Sequence, residues 1–395
     1  MMKKRVLIAG GSHSDIPLIN AAKTLGFHVI TSGNNPNDLG HTYADETYLE
    51  DFSDQEAMLR LAKRLHIDYI VPSANDFSMI TCSYIAEKMH LPGYDDYETT
   101  LMLHHKDQFK HFMMQHNFHV PKSKIFTSLS DALTSIDTLQ YPAIVKPVDL
   151  TGGKGVSKIT TEKEADQAIK SAFGCSRIGK IVIDDFIDGT LHSFSTIIVN
   201  QKIRFWFADN EHSYLNPYLV STSSSPAINI ENIQEVLIEQ TEKLATLLNL
   251  TDGILHMQYI KDNKDNIYII EYTRRMPGDL YYLPVQQATA IDYVPYILKA
   301  YCGIDISDIT FYPQKGYHAR HCIMSSKNGQ VDQVNIDPIL HKNIKDQLLW
   351  YSHHDTISNY MTYKAGILFL SFSTQSEMEY KLRLINDFVQ IKVRD

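Results

Sequence analysis

From Arg5 to Ala9 the chain runs Arg-Val-Leu-Ile-Ala, and Ile16, Ile19, Ala22 and Leu25 then recur at helical spacing. The first pattern predicts a strand buried on both faces, the second a helix with one apolar stripe. The rhythm repeats, with strands expected at 27–31 and 68–71 and a helix between them at 54–65. Apolar strands separated by helices predict a parallel, doubly wound sheet, and such sheets bind ligands at the carboxyl ends of their strands. Those ends carry Gly10-Gly11-Ser12-His13-Ser14-Asp15, Gly33-Asn34-Asn35 and Ser73-Ala74-Asn75-Asp76.

Leu91-Pro92-Gly93 marks a boundary. Residues 99–117 read as one histidine-rich helix, ended by Val120-Pro121. From about 140 to 275 the pattern shifts to short β segments at 143–148, 156–160, 180–183, 193–199 and 267–271, with helices at 162–172 and 232–248. Residues 221–225 read as a short polar loop. Beyond about 300 lies an α+β tail with strands at 317–324 and 366–372 and a closing helix at 376–388. The expected fold class is multidomain: α/β over residues 1–95, α+β over 96–300, and a C-terminal α+β extension over 301–395.

Composition narrows the functions. A chain of 395 residues exceeds one ordinary core, which predicts two or three packed domains. Hydrophobic residues at 44% and charged residues at 21% fit a soluble globular protein. A net charge of −9 argues against nucleic acid as a partner, because duplex binding rests on Lys and Arg neutralising phosphates. No apolar run approaches the roughly 18 residues that cross a bilayer, so no membrane partner is expected. The apolar start is too short for a signal peptide and meets Ser12-His13-Ser14-Asp15 at once, so it reads as a buried first strand. Cys82, Cys175, Cys302 and Cys322 lack CxxC spacing, which points to a reducing compartment, the cytoplasm, and to neither zinc nor disulfides. His104, His105, His111, His116 and His119 share no metal-binding face, and read as a solvated helix surface; His353-His354-Asp355 likewise suggests no site.

Three constellations carry candidate chemistry. In the first, Lys146 stands at the end of the apolar segment 143–148, and Gly152-Gly153-Lys154-Gly155-Val156 follows. Glycines let backbone amides approach phosphate oxygens, and the lysines add full charges. The loop joins two strands, unlike a Walker loop, and a plain hairpin with surface lysines reads equally well. In the second, the strand Ile181-Val182-Ile183 runs into Asp184-Asp185-Phe186-Ile187, whose backbone can meet an adenine edge; a strand ending in a turn is the alternative. In the third, Glu271, Thr273 and Arg275 alternate onto one face. A carboxylate, a hydroxyl and a guanidinium there could hold magnesium and polyphosphate oxygens, or form a salt-bridged strand end. Asn210, Glu211, His212 and Tyr281-Tyr282 are candidates to line an acceptor pocket.

Lysine, glycine-rich hairpin, acidic hinge and E-x-[TN]-x-R strand, in that order, resemble the ATP-grasp superfamily, in its carboxylate–amine ligase branch, similar to biotin carboxylase and L-amino-acid ligase-like enzymes. His105-Lys106-Asp107-Gln108-Phe109, followed by Val120-Pro121, resembles that family's first ATP lysine and its link to the lid. The resemblance implies a Rossmann-like domain over 1–95 and an ATP-grasp fold over 96–300, with a small lid subdomain at about 118–185. It implies ATP and Mg²⁺ (or Mn²⁺) as cofactors, small-molecule carboxylate and amine substrates, and a homodimer among the assemblies it allows. The implied reaction makes an acyl phosphate, then an amide or thioester, and releases ADP and phosphate. A bicarbonate-activating carboxylase and a weakened nucleotide-binding module are the alternatives. By the same resemblance Lys106 and Lys146 would meet ATP phosphates under a flap of Gly152, Gly153, Lys154, Gly155 and Val156. Asp184, Asp185, Phe186 and Ile187 would form the adenine hinge, with Asp184 where many relatives have Glu. Glu271 would bridge metal ions and Arg275 would stabilise the phosphorylated intermediate. Gln258 stands where relatives usually have the first metal-binding Glu, Thr273 replaces the usual Asn, and Leu191 sits at a common acidic ribose position beside the matching His192. Glu271 is thus the one carboxylate at the three expected metal positions, and either metal affinity depends on bound ATP or a further acid contributes.

Overall fold

The structure is a computed structural model and describes residues 3–150 and 153–394. Its first sheet is parallel, with Arg5–Ala9 between His28–Thr31 and Tyr69–Pro72 and the short strand Glu46–Thr47 at one edge. Alternation along Arg5–Ala9 sends Val6 and Ile8 to one layer and Leu7 and Ala9 to the other. The first layer meets helix Ile16–Thr24 through Leu18, Ile19 and Ala22. The second meets helices Gln55–Arg64 and Asp76–Met89 through Met58, Ala62, Cys82 and Ile85. Asp54 and Asn75 accept from backbone N–H groups of Ala57 and Phe77 and so start those two helices.

A second, antiparallel sheet orders Ser123–Phe126, Ile181–Asp185, Ala143–Pro147 and Ser157–Ile159. Helix Glu162–Cys175 covers it, burying Ala165, Ala168 and Ile169 against Val145, Ile181 and Ile183. The largest sheet has eight antiparallel strands in the order Ile267–Thr273, Gly253–Asp262, Gly189–Val199, Lys202–Ser213, Val220–Ser225, Tyr317–Met324, Lys364–Phe372 and Ile344–Leu349. Thr356–Ile357, Gly329–Ile336 and Val389–Arg394 form a small fourth sheet. Among the described residues no helix is long and apolar enough to cross a membrane.

Several sequence expectations fail locally. Residues 221–225 are no loop but most of the strand Val220–Ser225, which joins the body of the large sheet to the strands beyond residue 300. Small hydroxyl side chains fit buried sheet positions when partnered, as Thr222 Oγ1 is with His321 Nδ1 at 2.8 Å. The single helix expected at 99–117 is two, Tyr97–His104 and Lys106–Gln115, because His105 takes extended backbone angles (φ −96°, ψ 114°). The break lets the second helix begin at Lys106, whose ammonium reaches the Leu150 carbonyl. The histidines there do not form one solvated surface, since the His104 imidazole is only 1% exposed and lies 3.2 Å from Asp76. The closing helix ends early, at Arg383, and after the short turn Ile385–Phe388 the chain returns as the strand Val389–Arg394.

Candidate functional site

The three main layers meet around a cleft of about 540 Å³. The antiparallel sheet contributes Lys146, next to last in its strand, and Asp184 from the adjoining strand. Lys146 Nζ lies 2.6 Å from Asp184 Oδ2, Ser123 Oγ donates to Asp184 Oδ1 at 2.5 Å, and Lys110 Nζ approaches within 3.7 Å. Burial pushes the Lys110 ammonium down to about 8, with Asp184 opposing the fall. Burial works against the Asp184 carboxylate, yet Lys110 and Lys146 together hold it below its ordinary value. Lys106 lines the same wall, and burial lowers it too.

The large sheet supplies the opposite wall. Asp209, Ser193, Gln258 and Glu271 occupy directly opposed positions across four neighbouring strands. Strand alternation places His256 and Thr273 in the next row on that face. Thr273 Oγ1 is buried without a hydrogen-bond partner. Gln258 Nε2 donates to Glu211 Oε2 at 2.7 Å. Burial, then the neighbouring carboxylates Asp209 and Glu271, raises the Glu211 carboxyl to about 8, despite the opposing pull of Arg320. Burial raises Asp209 to about 6 against its hydrogen bond from Ser193, the attraction of Arg320 and the hydrogen bond from Tyr281. Among the described residues no three His, Cys, Asp or Glu side chains are arranged to hold a metal ion. A metal here would draw on amide, hydroxyl and ligand oxygens as well.

The first sheet closes the cleft from a third side. Asp76, at the start of its helix, accepts from Arg275 Nε at 2.8 Å and lies 3.2 Å from His104 Nδ1. Burial opposes the ionised form, but Arg275 and His104 keep Asp76 well below the usual carboxylate range. At the far end Arg320 Nη1 donates to the Gly278 carbonyl at 3.1 Å, and Asp279 pairs with Lys364 at 2.5 Å. His13 of the glycine loop lies 3.6 Å from Asp279 and stacks on Trp350 at 4.2 Å. That loop is thereby fastened to the mouth of the cleft.

Of the residues expected from sequence, the cleft is lined by Lys106, Lys146, Gly153, Val156, Asp184, Asp185, Phe186, Ile187, Gln258, Glu271, Thr273 and Arg275. Gly153 has φ +72°, and a Cβ there would meet the Tyr218 carbonyl oxygen at 2.5 Å. Gly152 lies outside the described residues, and Lys154 and Gly155 do not line the cleft. His192 is buried behind it, stacked on Tyr259 at 5.3 Å and hydrogen-bonded to Thr190 Oγ1 at 2.6 Å; burial, with Lys261 and His212 adding to it, pushes it down to about 4. Glu211 and Tyr281 line the cleft, whereas Asn210 and His212 face a separate cavity on the other side of the strand. Asp76 closes one of the strand-end segments named from the sequence; sequence reasoning gave His256 no role and missed Arg320 among the lining groups, and Lys110 and Asp209, each buried beside them. Period-two counting back from Gln258 finds His256, and back from Glu211 finds Asp209. Arg320 carries no such signal, because its strand joins the site only through the pairing of residues far apart in sequence.

Residues 104–216 match the family described as phosphoribosylglycinamide synthetase, ATP-grasp (A) domain. The carbamoyl phosphate synthase large chain of Clostridium botulinum (strain Langeland) is 21% identical over 307 residues, covering 76% of this chain and 28% of that protein. The chain thus spans little more than a quarter of that relative's length. Two solved structures share the fold over nearly the whole chain. The L-amino acid ligase from Bacillus licheniformis superimposes with a TM-score of 0.83 at 18% identity, covering 100% of this chain and 99% of that one. The biotin carboxylase domain of the Hydrogenobacter thermophilus 2-oxoglutarate carboxylase, solved with MgADP and bicarbonate, gives 0.80 at 16% identity, covering 99% and 91%.

Proposed function

The chain belongs to the ATP-grasp superfamily, and from that premise we propose that it is an ADP-forming ligase that activates a carboxylate as an acyl phosphate and passes the acyl group to an amine. The observation that carries the reading is a single cleft with lysines on one wall, Glu271 and Gln258 on the other, and Arg275 between. Its residues suit ATP and Mg²⁺. Ile144, Val156, Phe186, Ile187, Ile260 and Ile270 offer an apolar slot for a base. Lys106 and Lys146 offer charge for phosphates, and the unpartnered Thr273 Oγ1 offers an oxygen with no competing bond.

In this reading residues 1–95 form the Rossmann-like domain, 96–300 the ATP-grasp domain with its lid near 118–185, and 301–395 the C-terminal extension. Asp184 is engaged by its lysines, so the hinge would read adenine through the backbone of Asp185, Phe186 and Ile187. Lys106 and Lys146 hold the phosphates, and Gly153 lets the flap approach them without a side chain between. Glu271, with Gln258 and Thr273, would hold Mg²⁺, which would supply neutralisation of the phosphate charge. Arg275, kept in place by Asp76, faces the developing acyl phosphate and stabilises its oxygens. Closure of the flap excludes water, which would otherwise hydrolyse the mixed anhydride.

A screen of carboxylic acids with ATP, Mg²⁺ and hydroxylamine tests the reading by ADP release and hydroxamate formation. One acid giving both products, with loss of both in Glu271→Ala and an unchanged fold by circular dichroism, is the expected result. ADP release that needs bicarbonate and no organic acid would move the protein to the carboxylases. Nucleotide binding without release from any mixture would leave a binding module.

A further inference from the structure

We propose that Glu211 supplies the carboxylate missing at Gln258, so that Glu211, Gln258 and Glu271 together form the oxygen set for the divalent cation beside the phosphates. The inference rests on the ATP-site reading above and adds a residue from a different strand. Glu211 lies on Lys202–Ser213, two places beyond Asp209, whose cross-strand row contains Gln258 and Glu271. Period-two alternation therefore puts it on the same sheet face. Its carboxylate lines the same cleft as Glu271 and accepts from Gln258 Nε2 at 2.7 Å. That bond fixes the amide with its nitrogen toward Glu211, leaving Gln258 Oε1, a hard oxygen, for a cation.

Charge pairing in the cleft supports the assignment. Its ion pairs join Lys146 and Lys110 to Asp184, Arg275 to Asp76, and Arg320 to Asp279. Among the described residues none of them takes in Glu211 or Glu271. Glu211 is a buried residue and Glu271 only part-exposed, and among the described residues neither carboxylate has a cationic side chain within ion-pair distance. A divalent ion placed between them would neutralise both carboxylates at once. Independently, Thr273 lines that cleft, and its buried Oγ1 has no hydrogen-bond partner. Asp209, by contrast, is held through Oδ1 by Ser193 and Tyr281 and does not line the cleft.

Titration of the full chain with Mn²⁺ in the presence of ADP, read by electron paramagnetic resonance, tests this apart from turnover. Glu211→Gln keeps an oxygen for the Gln258 amide and removes only the charge. It is expected to weaken Mn²⁺ binding by about 10–100-fold, with the affinity for ADP alone changed less than about twofold. The double variant Glu211→Gln, Gln258→Glu moves the carboxylate across Gly189–Val199 to the strand Gly253–Asp262 and is expected to recover most of the loss. Native-like Mn²⁺ binding in Glu211→Gln, no recovery in the double variant, or an effect confined to the KM of the amine overturns the assignment. If the native chain binds neither ADP nor Mn²⁺ with ADP, the ATP-site reading itself has failed.

Discussion

Replacing Asp184 by Asn isolates the electrostatics that hold Lys146 and Lys110 beside the cleft. The substitution keeps shape and an oxygen for Ser123 but removes the charge shared by Lys146, 2.6 Å away, and Lys110, 3.7 Å away. The Lys110 side chain is 1% exposed and that of Asp184 is 5% exposed, so water replaces little of what is lost. Breaking a buried pair by removing one partner costs about 3–5 kcal/mol, and that is the loss expected at neutral pH. The pH dependence has a definite sign. Lys110 sits at about 8 in the folded chain against 10.5 ordinarily, so the unfolded chain holds the extra proton between those values. Its contribution to stability therefore rises with pH across that window and below it amounts to a penalty of about 3 kcal/mol. Without Asp184 the attraction that supports the ammonium is gone, Lys110 releases its proton at lower pH, and the window opens earlier. Urea denaturation at pH 6.5 and pH 9 should show a deficit that narrows at the higher pH. Adding Lys110→Met to the variant should recover stability, with a coupling in the range of about 0.5–3 kcal/mol. A deficit under about 1 kcal/mol, or one equal at both pH values, refutes the reasoning.

Gly153→Ala should raise the KM for ATP about tenfold, because φ +72° and the Tyr218 carbonyl 2.5 Å from the new Cβ leave the loop no room to keep its path; an unchanged KM in steady-state assays counts against the flap. Asp76→Asn should lower kcat by about 10²-fold with little change in KM for ATP, since Arg275 loses the charge that positions it. Retention of kcat in Asp76→Glu, against its loss in Asp76→Asn, would mark positioning over simple destabilisation.

Legibility in the sequence followed the range of each interaction. The strand Arg5–Ala9 and the helix Gln55–Arg64 are written in local periodicity, and the structure has both within a residue of where the pattern puts them. Glu271 and Thr273 could be set on one face by counting in twos, and they line one cleft. Val220–Ser225 was unreadable because serine carries no apolar signal, and its burial comes from strands on both sides, the Tyr317–Met324 partner nearly a hundred residues away in the chain. The bend at His105 was hidden for a similar reason, since contacts with Val148 and Leu150 set it while the local sequence favours a continuous helix. Arg320 and the Asp76–Arg275 pair join groups far apart in the chain, and only the folded arrangement shows such neighbours.

The account depends most on a triphosphate lying between the two lysines and the strand bearing Glu271. A crystal structure of the chain with Mg²⁺ and a non-hydrolysable ATP analogue measures this directly. The expected result has phosphate oxygens within hydrogen-bond reach of Lys106 and Lys146, a metal at Glu271, and the base against Phe186 and Ile187. Nucleotide bound at any other surface, with this cleft left to solvent, would contradict it.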